Sequence, residues 1–256
     1  MLEMVLLFLF AFLAGFIEAM VGGGGLIQLP AMFILLPQLG LAQTLATNKT
    51  ASFLGTSVSA VKYMKRVTID WGHLTPALLA AFVGSFSGAL LVSHVHKEQF
   101  MPVIICILLL VLVYTIFRKN FGLHHQQKSL TKIRYYVYAI ATGLCIGFYD
   151  GLIGPGTGSF FVFAFISLFG YDFLHASANA KIINCITNIS ALIFFFVKGS
   201  IIWEIAIPVG VSNMLGNYTG AQFALKKGSR YIRVFFIVVV SLLITKLAYE
   251  HLRDHF

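Results

Sequence analysis

The sequence predicts an all-α polytopic membrane protein built as two inverted repeats of about five hydrophobic segments, each repeat holding one short or re-entrant half-helix. Three observations carry this. The 256 residues are 59% hydrophobic and only 11% charged, against about 45–50% and about 25% in soluble domains, so one soluble core could not bury the apolar surface. The apolar runs have helical length, about 20 residues per span, and the short alternating segments of a transmembrane barrel do not occur. Finally, the pattern is written twice. Laying Gly147 on Gly15, an offset of 132, aligns "GFYDGLIGPGT" with "GFIEAMVGGGG". The same offset aligns Lys181 with Lys49, Trp203 with Trp71, Pro208 with Pro76 and "GNYTGA" (Gly216–Ala221) with "GSFSGA" (Gly84–Ala89), without a gap. Lysine, tryptophan, proline and a GxxxG pair do not fall into one register by apolar composition alone.

The first repeat (1–117) reads as segments 3–21, 26–37, 42–62, 71–93 and 99–117. The opening "MLEMVLLFLFAFLAGFIEAMV" lacks a basic leader and a small-x-small cleavage site, so it reads as a retained helix, not a secretory signal. The second segment, "LIQLPAMFILLP", has 12 residues; at 1.5 Å each it reaches about 18 Å, short of the roughly 30 Å hydrocarbon core. A basic connector (118–134), "RKNFGLHHQQKSLTKIR", leads to the second repeat (135–256), with segments 135–153, 158–169, 174–197, 203–225 and 231–249. Its second member, "GSFFVFAFISLF", is equally short. The chain thus counts as eight full spans plus two short elements.

Charge sets the orientation. With the N-terminus outside, the loops falling inside hold Lys62, Lys65, Arg66, then Arg118, Lys119, Lys128, Lys132, Arg134, then Lys226, Lys227, Arg230 and Arg233. Only Lys97, Lys198 and the end of the chain fall outside. This fits the positive-inside rule with both termini outside and makes the connector cytoplasmic. It also accounts for the net charge of +9 without nucleic acid, for which no aromatic-basic motif exists.

Short or glycine-broken segments at matching places in inverted halves mark the binding site of a secondary transporter. Here they are Gly22, Gly23, Gly24, Gly25 and the "GPGTGS" stretch with Gly154, Gly156, Gly158 and Ser159. Helix N-termini present unpaired N–H groups and a partial positive charge, and glycine lets an anion approach them closely. The bland alternative is tight helix crossing. Lys49 and Lys181 lie inside apolar segments, where a charge usually faces a cavity or a partner, although snorkelling to an interface is open to both. Asn48, Asn179, Asn184 and Asn188, with Thr47, Thr50 and Ser52, supply neutral hydrogen-bond partners; the binding set would include Asn48 and Asn184. Glu18 and Asp150 stand at matching positions before the glycines, as proton carriers or, equally, as structural partners of a lysine or an N–H. Gly84/Gly88 and Gly216/Gly220 read as helix-packing pairs, and Trp71 and Trp203 as interfacial anchors. His73, His94, His96, His124 and His125 read as surface residues. Cys106, Cys145 and Cys185 read as buried small side chains. No metal-ligand spacing is visible, no cofactor is implied, and GK[ST], HExxH and GxSxG are missing, so no catalytic residue is assigned.

"GFIEAMVGGGGLIQLP", "TLATNKTASF", "GFYDGLIGPGTGSF" and "NAKIINCITNI" resemble the TauE/SafE family of sulfite exporters, and within it the YfcA-like branch, over essentially the whole chain. The resemblance implies a multi-pass protein of the bacterial inner membrane that moves small anions, often sulfur oxyanions or sulfonates. The sulfur chemistry rests on the resemblance alone. The expected function is therefore secondary transport of a small anion, with proton coupling through Glu18 or Asp150. A passive anion channel and a non-transporting membrane partner subunit are the alternatives. The expected partners are the anionic substrate and the lipid bilayer, with homo-oligomer formation left open.

Overall fold

A computed structural model describes residues 2–92, 109, 112–117, 121–126 and 128–253. Among them the chain is helical, without a strand: α1 (Leu2–Val21), α2 (Gly25–Leu35), α3 (Leu41–Met64), α4 (Trp71–Leu90), α5 (Lys132–Leu152), α6 (Thr157–Ala164), α7 (Phe173–Val197), α8 (Trp203–Lys227) and α9 (Ser229–Arg253). Residues 112–117 are also helical. Most of the expected segment 99–117, with His94, His96, Lys97, Cys106, Arg118 and Lys119, lies outside the described residues. Expected boundaries fall within three or four residues of those observed. One element differs in kind: α6 ends after Ala164, and Phe165–Phe169 form a π-helical turn. Its two phenylalanines pack on neighbouring rings, Phe165 stacked on Tyr171 with centroids 5.8 Å apart and Phe169 tilted against Tyr135 at 4.8 Å.

Among the described residues three helices, α1, α4 and α7, are long and apolar enough to cross a membrane on length and composition alone. Helices α3 and α8 are as long but carry polar side chains turned inward: Thr44, Thr47, Asn48, Lys49, Ser52, Thr56 and Ser59 on α3, and Asn213 and Asn217 on α8, are all buried. The outer surface shows the opposite chemistry. Val5, Leu9 and Leu13 on α1, Val137, Ile140 and Leu144 on α5, and Ile207, Val211 and Leu215 on α8 are exposed at one-turn spacing. Apolar stripes outside and amides inside suit a hydrocarbon solvent, in which polar groups must find partners within the protein. Trp71 and Trp203, the first residues of α4 and α8, are each about half exposed.

The first long helix of each half packs against the fourth segment of the other half: α1 on α8, and α5 on α4. Glycines make both contacts close, and the contacts recur at the offset of 132. A Cβ on Gly84 would fall 2.9 Å from Phe148 N and against the Leu144 carbonyl; one on Gly216 would fall 2.9 Å from Phe16 N and against the Phe12 carbonyl. Gly88 meets Phe148 as Gly220 meets Phe16, and Gly15 meets Asn213 as Gly147 meets Ala81. With no hydrophobic drive between helices in lipid, such backbone proximity is what holds them together. Gly84→Val and Gly216→Val should therefore each lower the melting temperature of the detergent-solubilised protein, by a loss of about 1–3 kcal/mol. Gly72→Ala, whose Cβ would find only Asp70 Oδ1 at 3.5 Å, should be neutral or stabilising. Equal behaviour of Gly72 and the GxxxG positions would refute the packing role.

Aspartates cap the starts of two helices. Asp70 Oδ1 accepts the His73 N–H at 3.2 Å at the start of α4, and Asp172 Oδ1 accepts the His175 N–H at 2.7 Å at the start of α7. The His73 ring also bonds the Asp70 carboxyl, and this bond, ahead of the backbone N–H, holds Asp70 below the ordinary carboxylate value.

Candidate functional site

The two glycine-rich breaks meet in the middle of the bundle. Gly22 and Gly23 take positive φ (79° and 88°), turning the chain from α1 into α2, and Gly154 and Gly156 (89° and 86°) turn it from α5 into α6. A Cβ on Gly158 would lie 2.7 Å from Gly22 Cα, and one on Gly24 would lie 2.7 Å from the Glu18 Cβ. Left-handed turns and direct backbone contact thus account for so much bare backbone. Beside this contact is a small cavity of about 20 Å³ lined by Glu18, Gly23, Gly24, Gly25, Asn48, Lys49, Ser52, Asp150, Gly154, Gly156, Thr157, Gly158, Asn184 and Asn188. That is room for about one water molecule.

The lining is rich in unused hydrogen-bonding capacity. Among the described residues, no acceptor takes the amide N–H of Gly23, Gly24, Gly25, Gly156 or Gly158. Glu18 Oε2, Asn48 Oδ1 and Asn188 Nδ2 are buried without a hydrogen-bond partner. Buried polar groups are nearly always paired, so this concentration of free donors and acceptors marks a place for a polar guest.

The ionisable groups are arranged across the two halves. Lys49 Nζ stands 2.7 Å from Asp150 Oδ2, an ion pair without hydrogen-bond geometry, both side chains 4% exposed. Lys181 Nζ donates to the main-chain oxygen of Glu18 and is fully buried. Each lysine, the ninth residue of α3 or of α7, thus reaches the equivalent acidic position of the other half. Snorkelling is ruled out for both by burial. The Glu18 carboxylate is held by Thr56 Oγ1 at 3.1 Å and Asn184 Nδ2 at 3.3 Å, both to Oε1, which leaves Oε2 as the free oxygen.

Three expected binding residues do not line the cavity. Gly22 is spent on the backbone contact with Gly158. Ser159 Oγ donates to the Val21 carbonyl at 3.0 Å, which ties α6 to the end of α1. Lys181 Nζ donates to the Glu18 carbonyl and does not line the cavity, so among the described residues Lys49 is the basic side chain in its wall. The other expected residues (Gly23, Gly24, Gly25, Asn48, Lys49, Gly154, Gly156, Gly158 and Asn184, with Glu18 and Asp150) all line it. Ser52 and Asn188, read from the sequence only as neutral partners, line it too. Thr157 was missed; it is the first residue of α6, directly after the N-cap Gly156, and its hydroxyl donates to the Gly154 carbonyl at 2.6 Å. A second buried polar chain runs behind the site, from Gln28 Oε1 through Asn213 Nδ2 (2.7 Å) to Asn217 (2.8 Å between side chains). Asn179 instead bonds the His175 carbonyl of its own helix.

The family described as sulfite exporter TauE/SafE matches residues 7–247. The probable membrane transporter protein YfcA of Escherichia coli (strain K12) is 32% identical over 244 residues, covering 95% of this chain and 89% of the relative. A probable membrane transporter protein from Sinorhizobium sp. is 34% identical over 234 residues, covering 91% and 87%. One from Haemophilus influenzae is 28% identical over 253 residues, covering 99% and 97%. No solved structure matches significantly. With a helical bundle, an apolar exterior and a match across nearly its whole length, the chain belongs to the TauE/SafE family of membrane transporters.

Proposed function

We propose that the protein is a secondary transporter that carries a small anion together with a proton across the bacterial inner membrane, its two halves inserted in opposite senses and both termini outside. The observation that carries this is the five unpaired glycine amides of cavity-lining residues at the α2 and α6 starts, with Lys49 in the same lining. Free N–H donors at helix N-termini favour negative charge. Glu18 supplies the reason for the proton: an ionised carboxylate and a bound anion in one buried cavity repel by on the order of 4 kcal/mol at 4 Å and an effective dielectric of about 20. A proton on the free Glu18 Oε2 removes that repulsion and turns the oxygen into a donor toward the guest. Burial of Glu18, Lys49 and Asp150 to 4% exposure or less, around a cavity barely wider than a water, supports alternating access over an open pore. The family description points the substrate toward sulfite, and sulfonates present a like anionic sulfur–oxygen group.

The test is sulfite flux into proteoliposomes under an imposed pH gradient, with a taurine-like sulfonate and acetate as competitors. Accumulation above equilibrium, competed by the sulfonate, is expected. Flux that equilibrates but never accumulates would mean a channel. Absence of flux for all these anions from folded protein would overturn the anion reading and leave a non-transporting subunit.

A further inference from the structure

Away from the cavity, the connector meets the start of α7. The His125 ring lies against the His175 ring, centroids 4.1 Å apart, and stacks on Tyr171 at 5.3 Å. Asp172 Oδ1 accepts both the His175 N–H at 2.7 Å and its ring Nδ1 at 2.8 Å. One ligand atom from each of His125, Asp172 and His175 lies within 4.8 Å of the others. The arrangement is fixed on both sides: Gln126 N and Lys128 N donate to the Gly170 and Phe169 carbonyls, each at 3.0 Å, and Phe173 N donates to the Gly122 carbonyl at 2.8 Å.

Capping alone explains the Asp172–His175 contact, because the same Asp-x-x-His arrangement starts α4 with Asp70 and His73. It does not explain the third group. At α4 the histidine ring is backed by Tyr135; at α7 a second imidazole arrives from 50 residues away (175 minus 125). Two imidazoles and a carboxylate are the donor set of late first-row divalent ions.

We propose that His125, His175 and Asp172 form a divalent transition-metal site of the Zn²⁺ class, which fastens the connector to the corner between α6 and α7. Closing the set around an ion needs movement of about an ångström, since Zn–N distances are about 2.0–2.1 Å. The consequence is mechanical. The connector is already bonded to the end of the π-helical turn that continues α6, and the other end of α6 lines the central cavity. An ion that pins this corner restrains the half-helix that alternating access must move.

The experiment uses full-length protein in detergent, purified without a polyhistidine tag and titrated with ZnCl₂ by calorimetry and by thermal melting. One saturable site per chain is expected, with a melting temperature that rises with Zn²⁺ as mass action requires. His125→Ala and His175→Ala should each weaken binding at least tenfold. His124→Ala and His73→Ala should leave it unchanged. Visible d–d bands of bound Co²⁺, present in wild type and lost in His125→Ala, would show direct imidazole ligation. Absence of saturable binding, or binding indifferent to both the His125 and His175 substitutions, would overturn the site. Neither readout depends on the transported substrate, so the metal site and the anion reading fail separately.

Discussion

Lys49→Ala should abolish anion accumulation and destabilise the protein, and the two effects can be separated. In wild type the Lys49 ammonium faces Asp150 at 2.7 Å with both groups buried. Removing the cation strands a carboxylate where water cannot reach it, a change that typically costs about 3–5 kcal/mol. A poor yield of Lys49→Ala would then say nothing about transport. The double variant Lys49→Ala/Asp150→Ala removes both charges and should recover most of the melting temperature. It should still fail to accumulate sulfite, because the glycine amides alone would have to offset the desolvation of a full negative charge. If the double variant transports at the wild-type rate, Lys49 serves only to neutralise Asp150 and the cationic part of the anion site is wrong. Lys181→Met is the informative partner. It removes the bond to the Glu18 carbonyl and a cation that stands behind the cavity wall instead of in it, so it should reduce transport by less than Lys49→Ala does.

That unequal expectation comes from a small chemical difference between matching positions. Glu18 and Asp150 occupy the same place in the duplicated pattern, but glutamate is one methylene longer. The Asp150 carboxylate stays beside the lysine of the other half, whereas the Glu18 carboxylate reaches past its lysine to Thr56 and Asn184 and leaves the main-chain oxygen to Lys181. The residues that match Thr56 and Asn184 at the offset of 132 are Asn188 and Ser52, and Asn188 Nδ2 has no partner. One half thus holds a closed ion pair and the other a carboxylate with a free oxygen. A site with one charge committed and one available is suited to a single coupled proton.

Much of this was legible in the sequence, for definable reasons. Segment positions follow from apolar run length, and the bond pattern of a helix is local. The duplicated register is a property of the string itself, and it located both glycine breaks and both lysines. What the string could not give is which partner each buried group takes. Lys49 and Lys181 look alike at equal spacing, yet one meets a carboxylate and the other a carbonyl, a choice made by side-chain length at a crossing between halves. Gly22 and Ser159 belong to the glycine breaks but to their packing side, since the two breaks touch each other there. The π-helical turn after Ala164 has no signal in a run of phenylalanine and isoleucine. His125 and His175 are paired only by the fold, so spacing rules for metal ligands had nothing to detect.

The sharpest test of the coupling scheme is Glu18→Gln. The substitution keeps length and shape, and the amide oxygen can still accept from Thr56 and Asn184 as Oε1 does now. The amide NH₂ takes the place of the free Oε2 and presents a permanent donor to the cavity, as a protonated carboxyl would. The variant should therefore fold, bind the anion and exchange it across the membrane, but no longer release a proton. For one proton carried per monovalent anion, a difference of one pH unit, about 1.4 kcal/mol, supports about tenfold accumulation in wild type. In Glu18→Gln the accumulation ratio should fall to about one while tracer exchange persists and loses its pH dependence. Asp150→Asn cannot substitute for this experiment, because it opens the Lys49 ion pair and changes stability as well as charge. If Glu18→Gln still accumulates substrate against its gradient, the proton travels elsewhere, and the unpaired Glu18 oxygen is a contact for the substrate instead of its coupling group.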